Sequence, residues 1–308
     1  MKATAQAHAN IALVKYWGKR DDALLLPQAA SLSVALDKLL TTTTVELGAA
    51  EDSFELDGRR EDPARARALL DAAGIAAKAR IVSRNAFPTA AGLASSASGF
   101  AALAVAASAA AGQDRPVGEL SALARLGSGS ATRSVPGGWA VWEGASARQV
   151  FAPTHWDLRF CIAVCAAGPK LVGSRDGMRT TRDTSPYHAA WIEQCGRDLR
   201  QALDLLERRD LRGLGALAER NALRMHADAL AADPPLLYWQ PATVGCLLAL
   251  RELRAAGVSA WATIDAGPHV VAICAPADAA RVEARLRAVA GVNEVLVCAP
   301  AGGARVVP

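Results

Sequence analysis

The chain has 308 residues, 52% hydrophobic and 21% charged, with a formal net charge of +4. That length suits one large domain or two modest ones with a sizeable core. The mild, dispersed positive charge fits a small anionic ligand and argues against nucleic acid. The six cysteines form no C-x-x-C and the five histidines no H-x-x-x-H. Buried free thiols in a reducing, cytoplasmic setting are therefore expected, and no metal cluster built from protein ligands. The opening "MKATAQAHANIALVKYWGK" is too short in apolar residues for a signal peptide. No segment reaches the roughly 18 unbroken apolar residues of a membrane span.

In chain order, "SLSVALD" and "TTTTVELGA" alternate and are β-branched, which predicts two strands joined by a turn near Asp37 to Leu40. "SFELDGRR" predicts a strand ending in an Asp-Gly turn. "DPARARALLDAAG" predicts a short helix with Pro at its start and Gly after its end. "ARIVSRNAF" is a strand, followed by the turn "PTAAGLASSASGF" and an Ala-rich helix to about Ala111. "PVGELSALARLGSGSATRS" is a helix that runs into a second glycine–serine turn, and "GGWAVWEGA" is a strand. A loose boundary is expected near Gly168 to Met178, after the buried strand "LRFCIAVCAA". Two long helices between Ser185 and Leu230, a third ended by Gly257, and further strands at "SAWATIDAG", "HVVAICAP" and "VNEVLVCAP" complete the pattern, with a helix at "DAARVEARLRAVAG". Strands and helices mix without a regular β-α-β-α alternation, so an α+β fold with two lobes is predicted.

Four stretches point to chemistry. The turn before the Ala-rich helix lacks the lysine and spacing of G-x-x-x-x-G-K-[ST]. A strand, a small-residue turn and a helix N-terminus nevertheless make an anion site from unpaired N–H groups and the positive end of the macrodipole. Gly92 permits a tight backbone there, and Ser95, Ser96 and Ser98 offer hydroxyls; a plain helix cap is the alternative. "GSGSATR" brings two serines and Arg133 together, which suits a carboxylate or phosphate, or a solvated surface turn. "NIALVKYWGK" sets Lys15, Tyr16 and Lys19 beside apolar residues, as a polyanion site or an amphipathic edge strand would. "TIDAGPH" puts Asp265 at a strand end, where it can serve as a base or merely shape a turn.

Taken in order, "AHANIALVKYWGKRD", "SLSVALDKLLTTTTVEL", "NAFPTAAGLASSASGFAALA", "GSGSATRSVPGGW", "GMRTT", "ERNALRMHADALAADPPLLYWQP" and "ATIDAGPHV" resemble the diphosphomevalonate decarboxylases of the GHMP kinase superfamily. The resemblance runs from Ala7 to about Ala275. It implies a GHMP-kinase-like α+β fold, with an N-terminal lobe over residues 1–170 that carries the phosphate loop. A C-terminal α/β lobe over 171–308 would close a cleft. It also implies ATP and Mg2+ as cosubstrate and cofactor, and mevalonate 5-diphosphate as substrate. The hydroxyl on C3 would be phosphorylated, and phosphate and CO2 lost to give isopentenyl diphosphate. A homodimer is expected as well.

By the same resemblance, Ala91, Gly92, Leu93, Ala94, Ser95, Ser96 and Ser98 would bind ATP. Asp265 would be the catalytic carboxylate and Lys15 its neighbour, favouring the ionised form. Arg133 would hold the substrate carboxylate, so that Arg133→Ala is expected to harm catalysis far more than folding. Tyr16, Lys19, Ser128, Ser130 and Ser174 would bind the diphosphate end and main chain of the substrate. Two positions depart from the family pattern, Ala29 and His269, each standing where the family has Asn. An arginine upstream of the phosphate loop falls among Arg59, Arg65 and Arg67. The same chemistry on mevalonate 5-phosphate, a kinase that stops at the 3-phosphate, and a binding protein with a dead site are the competing readings.

Overall fold

A computed structural model describes residues 1–87, 95–165 and 172–308. Two long strands organise the first sheet: β1 (Lys2–Val14) and β4 (Ser31–Leu47), paired antiparallel. Between them lies a small hairpin of β2 (Lys19–Asp21) and β3 (Leu26–Pro27). The turn expected near Asp37 to Leu40 is instead an irregularity inside β4. The register jumps from His8↔Leu40 to Asn10↔Ala35, and both halves of β4 stay on β1. Leu36 and Leu39 are buried there while Asp37 and Lys38 face out. Asp37 Oδ1 accepts from the Ala299 amide at 2.9 Å, and the Asp37 amide donates back to the Ala299 carbonyl at 3.0 Å. A distant partner therefore holds in a strand what local polarity marks as a turn.

The hairpin of β5 (Ser53–Leu56) and β6 (Arg59–Glu61) turns at Asp57 (φ 49°) and Gly58 (φ 81°), both left-handed as a two-residue hairpin requires. β7 (Ala79–Asn85) runs beside β4, and β8 (Trp139–Glu143) pairs the other half of β4 before turning back as β9 (Ser146–Phe151). With β14 (Arg305–Val307) on the outer side of β1, these make an eight-stranded sheet among the described residues. Helices α2 (Ser95–Ala110), α3 (Val117–Gly127) and α4 (Ala131–Ser134) pack against it, and α1 (Ala64–Ala72) packs on α2 and α3. α2 is almost wholly small residues, so it lies close on β1 and β4.

The second sheet has the order β11-β12-β10-β13, all antiparallel, from β10 (Arg159–Cys165), β11 (Ala260–Thr263), β12 (Val270–Cys274) and β13 (Val292–Cys298). The period of two sorts β10 between two cores. Cys161, Ala163 and Cys165 face α8 (Pro241–Ala255) and α9 (Ala279–Arg287). Phe160, Ile162 and Val164 face α6 (His188–Glu207) and α7 (Leu211–Leu230). That second core also holds Leu13, Leu32 and Trp139 of the first sheet, so α6 and α7 join both halves. α5 (Ser174–Thr184) occupies what the sequence presents as a loose boundary. The six cysteines are buried and free. The fold is α+β, as expected, and among the described residues no helix is long and apolar enough to cross a membrane.

Candidate active site

The residues after β1 leave the strand at Lys15 and carry three of the expected side chains into one cleft of about 480 Å³. Lys15 is buried, and its ammonium donates to Asp265 Oδ1 at 2.6 Å and to the Ala12 carbonyl at 2.7 Å. Burial pushes the Lys15 ammonium below its ordinary range, and the Asp265 carboxylate pulls it back. Asp265 follows β11 and is 37% exposed, so one partner of the ion pair faces the cleft and the other is hidden. Its carbonyl accepts from the Gly267 amide at 2.7 Å, which fixes the turn.

Arg133 is not a solvated turn residue. It is 2% exposed, and the short α4 drives it between β1 and β4. Its Nε donates to Ser33 Oγ at 2.9 Å and Asn10 Oδ1 at 3.2 Å, and its Nη1 donates to Ser31 Oγ at 2.5 Å. Asn10 is held in turn, its Nδ2 donating to the Ser130 carbonyl and to Ser134 Oγ. No bond to Arg133 Nη2 is formed among the described residues, and Arg133 lines the same cleft as Asp265. Burial lowers the Arg133 guanidinium to about 10, which leaves it charged at neutral pH.

A row of hydroxyls crosses the cleft: Ser96 Oγ lies 3.3 Å from Ser128 Oγ, which lies 3.1 Å from Ser130 Oγ. Ser95 opens α2 beside them, and Ser174 opens α5 on the facing side. Tyr16 packs on Trp142, ring centroids 4.6 Å apart, with its hydroxyl buried and unpartnered. Burial pushes that phenol up, so it stays a donor. Gly129 leaves room for it, since a Cβ there would stand 2.8 Å from the Tyr16 hydroxyl. Lys19 Nζ lies 3.4 Å from Asp22, which also receives Arg182 at 2.8 Å.

Not every expected residue reaches the cleft. Ser98 is fully buried, its hydroxyl bonded to Thr41 Oγ1 at 2.6 Å and to the Ser95 carbonyl at 3.3 Å. One helical turn after Ser95, it faces the sheet rather than the cleft, which corrects its expected place among the phosphate ligands. Ala91, Gly92, Leu93 and Ala94 lie outside the described residues.

The structure also brings in Arg175, which the sequence did not single out, beside Arg65, one of the three arginines that it did. Arg65 and Arg175 both donate to the Gly127 carbonyl, the second at 2.8 Å. Arg65 is the upstream arginine in the cleft, because Arg59 lies on exposed β6 and Arg67 is occupied by Asp52, Asp71 and two carbonyls. Burial and the neighbouring Arg175 both lower the Arg65 guanidinium. Two like charges meeting on one neutral oxygen is an arrangement that an anion relieves. Lys15, Lys19, Arg65, Arg133 and Arg175 together give the cleft a strong positive field against Asp265 and Asp176.

The family profile for the diphosphomevalonate decarboxylase-like N-terminal domain matches residues 7–152, and that for the mevalonate 5-diphosphate decarboxylase C-terminal domain matches 160–299. The chain belongs to the diphosphomevalonate decarboxylase family. It is 36% identical to the human diphosphomevalonate decarboxylase over 304 residues, covering 87% of this chain and 75% of that one. The crystal structure of mevalonate diphosphate decarboxylase from Staphylococcus aureus superposes with a TM-score of 0.94 at 35% identity, covering 100% of this chain and 98% of that one. A structure described as a complex with MVAPP, AMPPCP and magnesium matches at 0.93 and 35%, covering 100% and 99%. Of the decarboxylase-family departures, His269 is buried and its Nδ1 accepts from the Cys165 amide at 3.1 Å, a bond that an Asn oxygen would also accept. Ala29 packs on the apolar group around Trp17 and Trp191.

Proposed function

We propose that the chain catalyses the ATP-dependent decarboxylation of mevalonate 5-diphosphate to isopentenyl diphosphate, ADP, phosphate and CO2. The observation that carries this reading is the half-exposed Asp265, ion-paired to buried Lys15 and facing buried Arg133 in a cleft of converging cations. Asp265 takes the proton of the C3 hydroxyl as that oxygen attacks the γ-phosphorus of ATP. The new C3–O–P bond forms and the bond to the ADP oxygen breaks. The C3–O bond then breaks, and phosphate leaves with its electron pair. The electrons of the carboxyl C–C bond become the C2=C3 double bond, and CO2 departs. Arg133 holds the substrate carboxylate for that cleavage through Nη2. Lys15 keeps the carboxylate of Asp265 oriented.

Tyr16, Lys19, Ser128, Ser130 and Ser174 bind the substrate's diphosphate and main chain, joined by Arg65 and Arg175. Ser95 and Ser96 stand at the N-terminus of α2, where the amides of a first helical turn and the serine hydroxyls suit ATP phosphates. Among the described residues no three His, Cys, Asp or Glu side chains group together. A Mg2+ ion here would take its oxygens chiefly from phosphates, water and hydroxyls such as Ser95 and Ser96, a donor set that suits it. When bound, it supplies charge neutralisation between the phosphates.

The expected lobes of residues 1–170 and 171–308 are shifted by two strands: β10 (Arg159–Cys165) belongs to the second sheet and β14 returns to the first, so we propose that the cleft lies between lobes divided before Arg159. A cytoplasmic homodimer is the setting that six buried free thiols and the family suit; light scattering that finds a monomer would reject the dimer. The test of the function presents Mg-ATP with mevalonate, its 5-phosphate and its 5-diphosphate in turn. Equal ADP and CO2 from the diphosphate support the reading. Turnover of the monophosphate alone, or ADP without CO2, would replace it.

A further inference from the structure

The backbone that carries Lys15 and Tyr16 has left β1, so its polar groups need partners from elsewhere. They come from the helix pair α6 and α7. The Lys15 amide donates to Asn221 Oδ1 at 2.8 Å. Asn221, on α7, is fully buried, and its Nδ2 donates to Asp198 Oδ2 at 2.8 Å. Asp198, on α6, is 2% exposed and also accepts from Gln194 Nε2 at 2.8 Å and from Arg224 Nη1 at 3.3 Å. Two residues further along the segment, the Trp17 carbonyl accepts from Trp191 Nε1 of α6 at 2.9 Å.

Both ends of the Asn221 amide are used, and they are not interchangeable. The carboxylate of Asp198 accepts only, so it selects the rotamer that turns Nδ2 inward and Oδ1 towards the Lys15 amide. Packing alone does not require a carboxylate between two helices, and burying one is costly unless it is fully bonded. Asp198 lines no part of the cleft. What it orients is one amide, and that amide fixes the main chain at Lys15, whose ammonium meets Asp265 at 2.6 Å.

We propose that Asn221, oriented by Asp198, is a positioning residue for the decarboxylation: it fixes the Lys15 backbone so that Lys15 and Tyr16 meet the substrate in register with Asp265. This rests on the reading that Lys15 and Asp265 serve the chemistry. Asn221 touches no substrate; it acts through the chain it holds. Loss of the bond frees Lys15 to drift, and a misplacement near 1 Å costs about 10²-fold in rate.

The experiment compares four purified proteins: wild type, Asn221→Ala, Asn221→Asp, and the exchange Asp198→Asn with Asn221→Asp. The wild type is assayed first for ADP and CO2 from mevalonate 5-diphosphate; failure there removes the functional reading. A readout independent of turnover is amide hydrogen exchange of the peptide that contains Lys15. Asn221→Ala is expected to speed that exchange and to lower kcat about 10²-fold, with KM for ATP near wild type. Asn221→Asp sets two carboxylates against each other and is expected to be worse or poorly folded. The exchange variant restores one donor and one acceptor with reversed polarity, and is expected to regain protection and at least tenfold in kcat over Asn221→Asp. A folded Asn221→Ala with wild-type kcat and exchange would overturn the proposal. So would an exchange variant that melts like wild type yet has no more activity than Asn221→Asp.

Discussion

Gly129→Ala perturbs the cleft through a single methyl group. Nothing in the backbone at Gly129 forbids alanine, since its φ is not in the left-handed region. The added Cβ would stand 2.8 Å from Cε1 and from the hydroxyl of Tyr16, and 3.0 Å from Cζ. Ordinary contact begins near 3.4 Å, so the phenol edge must retreat by roughly half an ångström or more, and the interior is too closely packed to absorb that freely. Trp142 blocks the retreat, because its ring already lies 4.6 Å from that of Tyr16. A displacement approaching 1 Å in a group that orients substrate costs about 10²-fold, or about 2.7 kcal/mol of transition-state stabilisation. Steady-state release of ADP, with mevalonate 5-diphosphate varied at saturating Mg-ATP, reads it as lower kcat/KM. ATP affinity and melting temperature serve as controls and stay close to wild type. A Gly129→Ala enzyme with unchanged kcat/KM would refute the argument that the Tyr16 ring, set by the space at Gly129, orients the substrate.

Three further outcomes follow from the geometry. Arg133→Ala is expected to lower stability as well as activity, by about 3 kcal/mol, because Asn10, Ser31 and Ser33 lose a buried donor, which corrects the expectation from the sequence that folding would be largely spared; a denaturation midpoint equal to wild type would contradict this. Arg175→Met is expected to raise KM for the diphosphate substrate by about 10- to 100-fold through loss of a charge-assisted bond, with the melting curve unchanged; a KM within twofold of wild type would remove Arg175 from the substrate site. His226 is buried beneath the Lys15–Asp265 pair, and burial with the Lys15 charge lowers it to about 4. Its folded pKa lies below its unfolded one, so its stabilising contribution is complete above pH 6.5 and is lost as pH falls through 4, amounting to about 3 kcal/mol. The stability difference between wild type and His226→Gln should shrink over that range, and a constant difference would contradict the burial argument.

Local chemistry made some elements legible and hid others. The Asp-Gly turn at 57–58 and the Ala-rich α2 were readable because turn residues and small-residue helices carry their own signals. The continuity of β4 was not, because its irregular centre is held by Ala299, far along the chain. α5 was hidden because "SRDGMRTTRDT" shows no apolar stripe, and Arg175 was hidden with it. The pairing of Lys15 with Asp265 spans 250 positions, so only resemblance linked them before the fold did. Ser98 shows the limit of motif reading: three serines looked equivalent, but helical geometry turns one of them into the sheet. Asn221 sits inside a helical pattern that reads as core, and its partner amide lies 206 positions away.

In the proposed reaction Asp265 handles the proton of the C3 hydroxyl while other residues bind the phosphates. This role is tested most directly by Asp265→Asn, assayed with Mg-ATP and mevalonate 5-diphosphate for ADP and labelled CO2, alongside nucleotide binding by calorimetry. Nucleotide is expected to bind as in wild type while ADP and CO2 fall together by about 10²-fold or more. An Asp265→Asn enzyme that still releases both products at the wild-type rate would contradict that role.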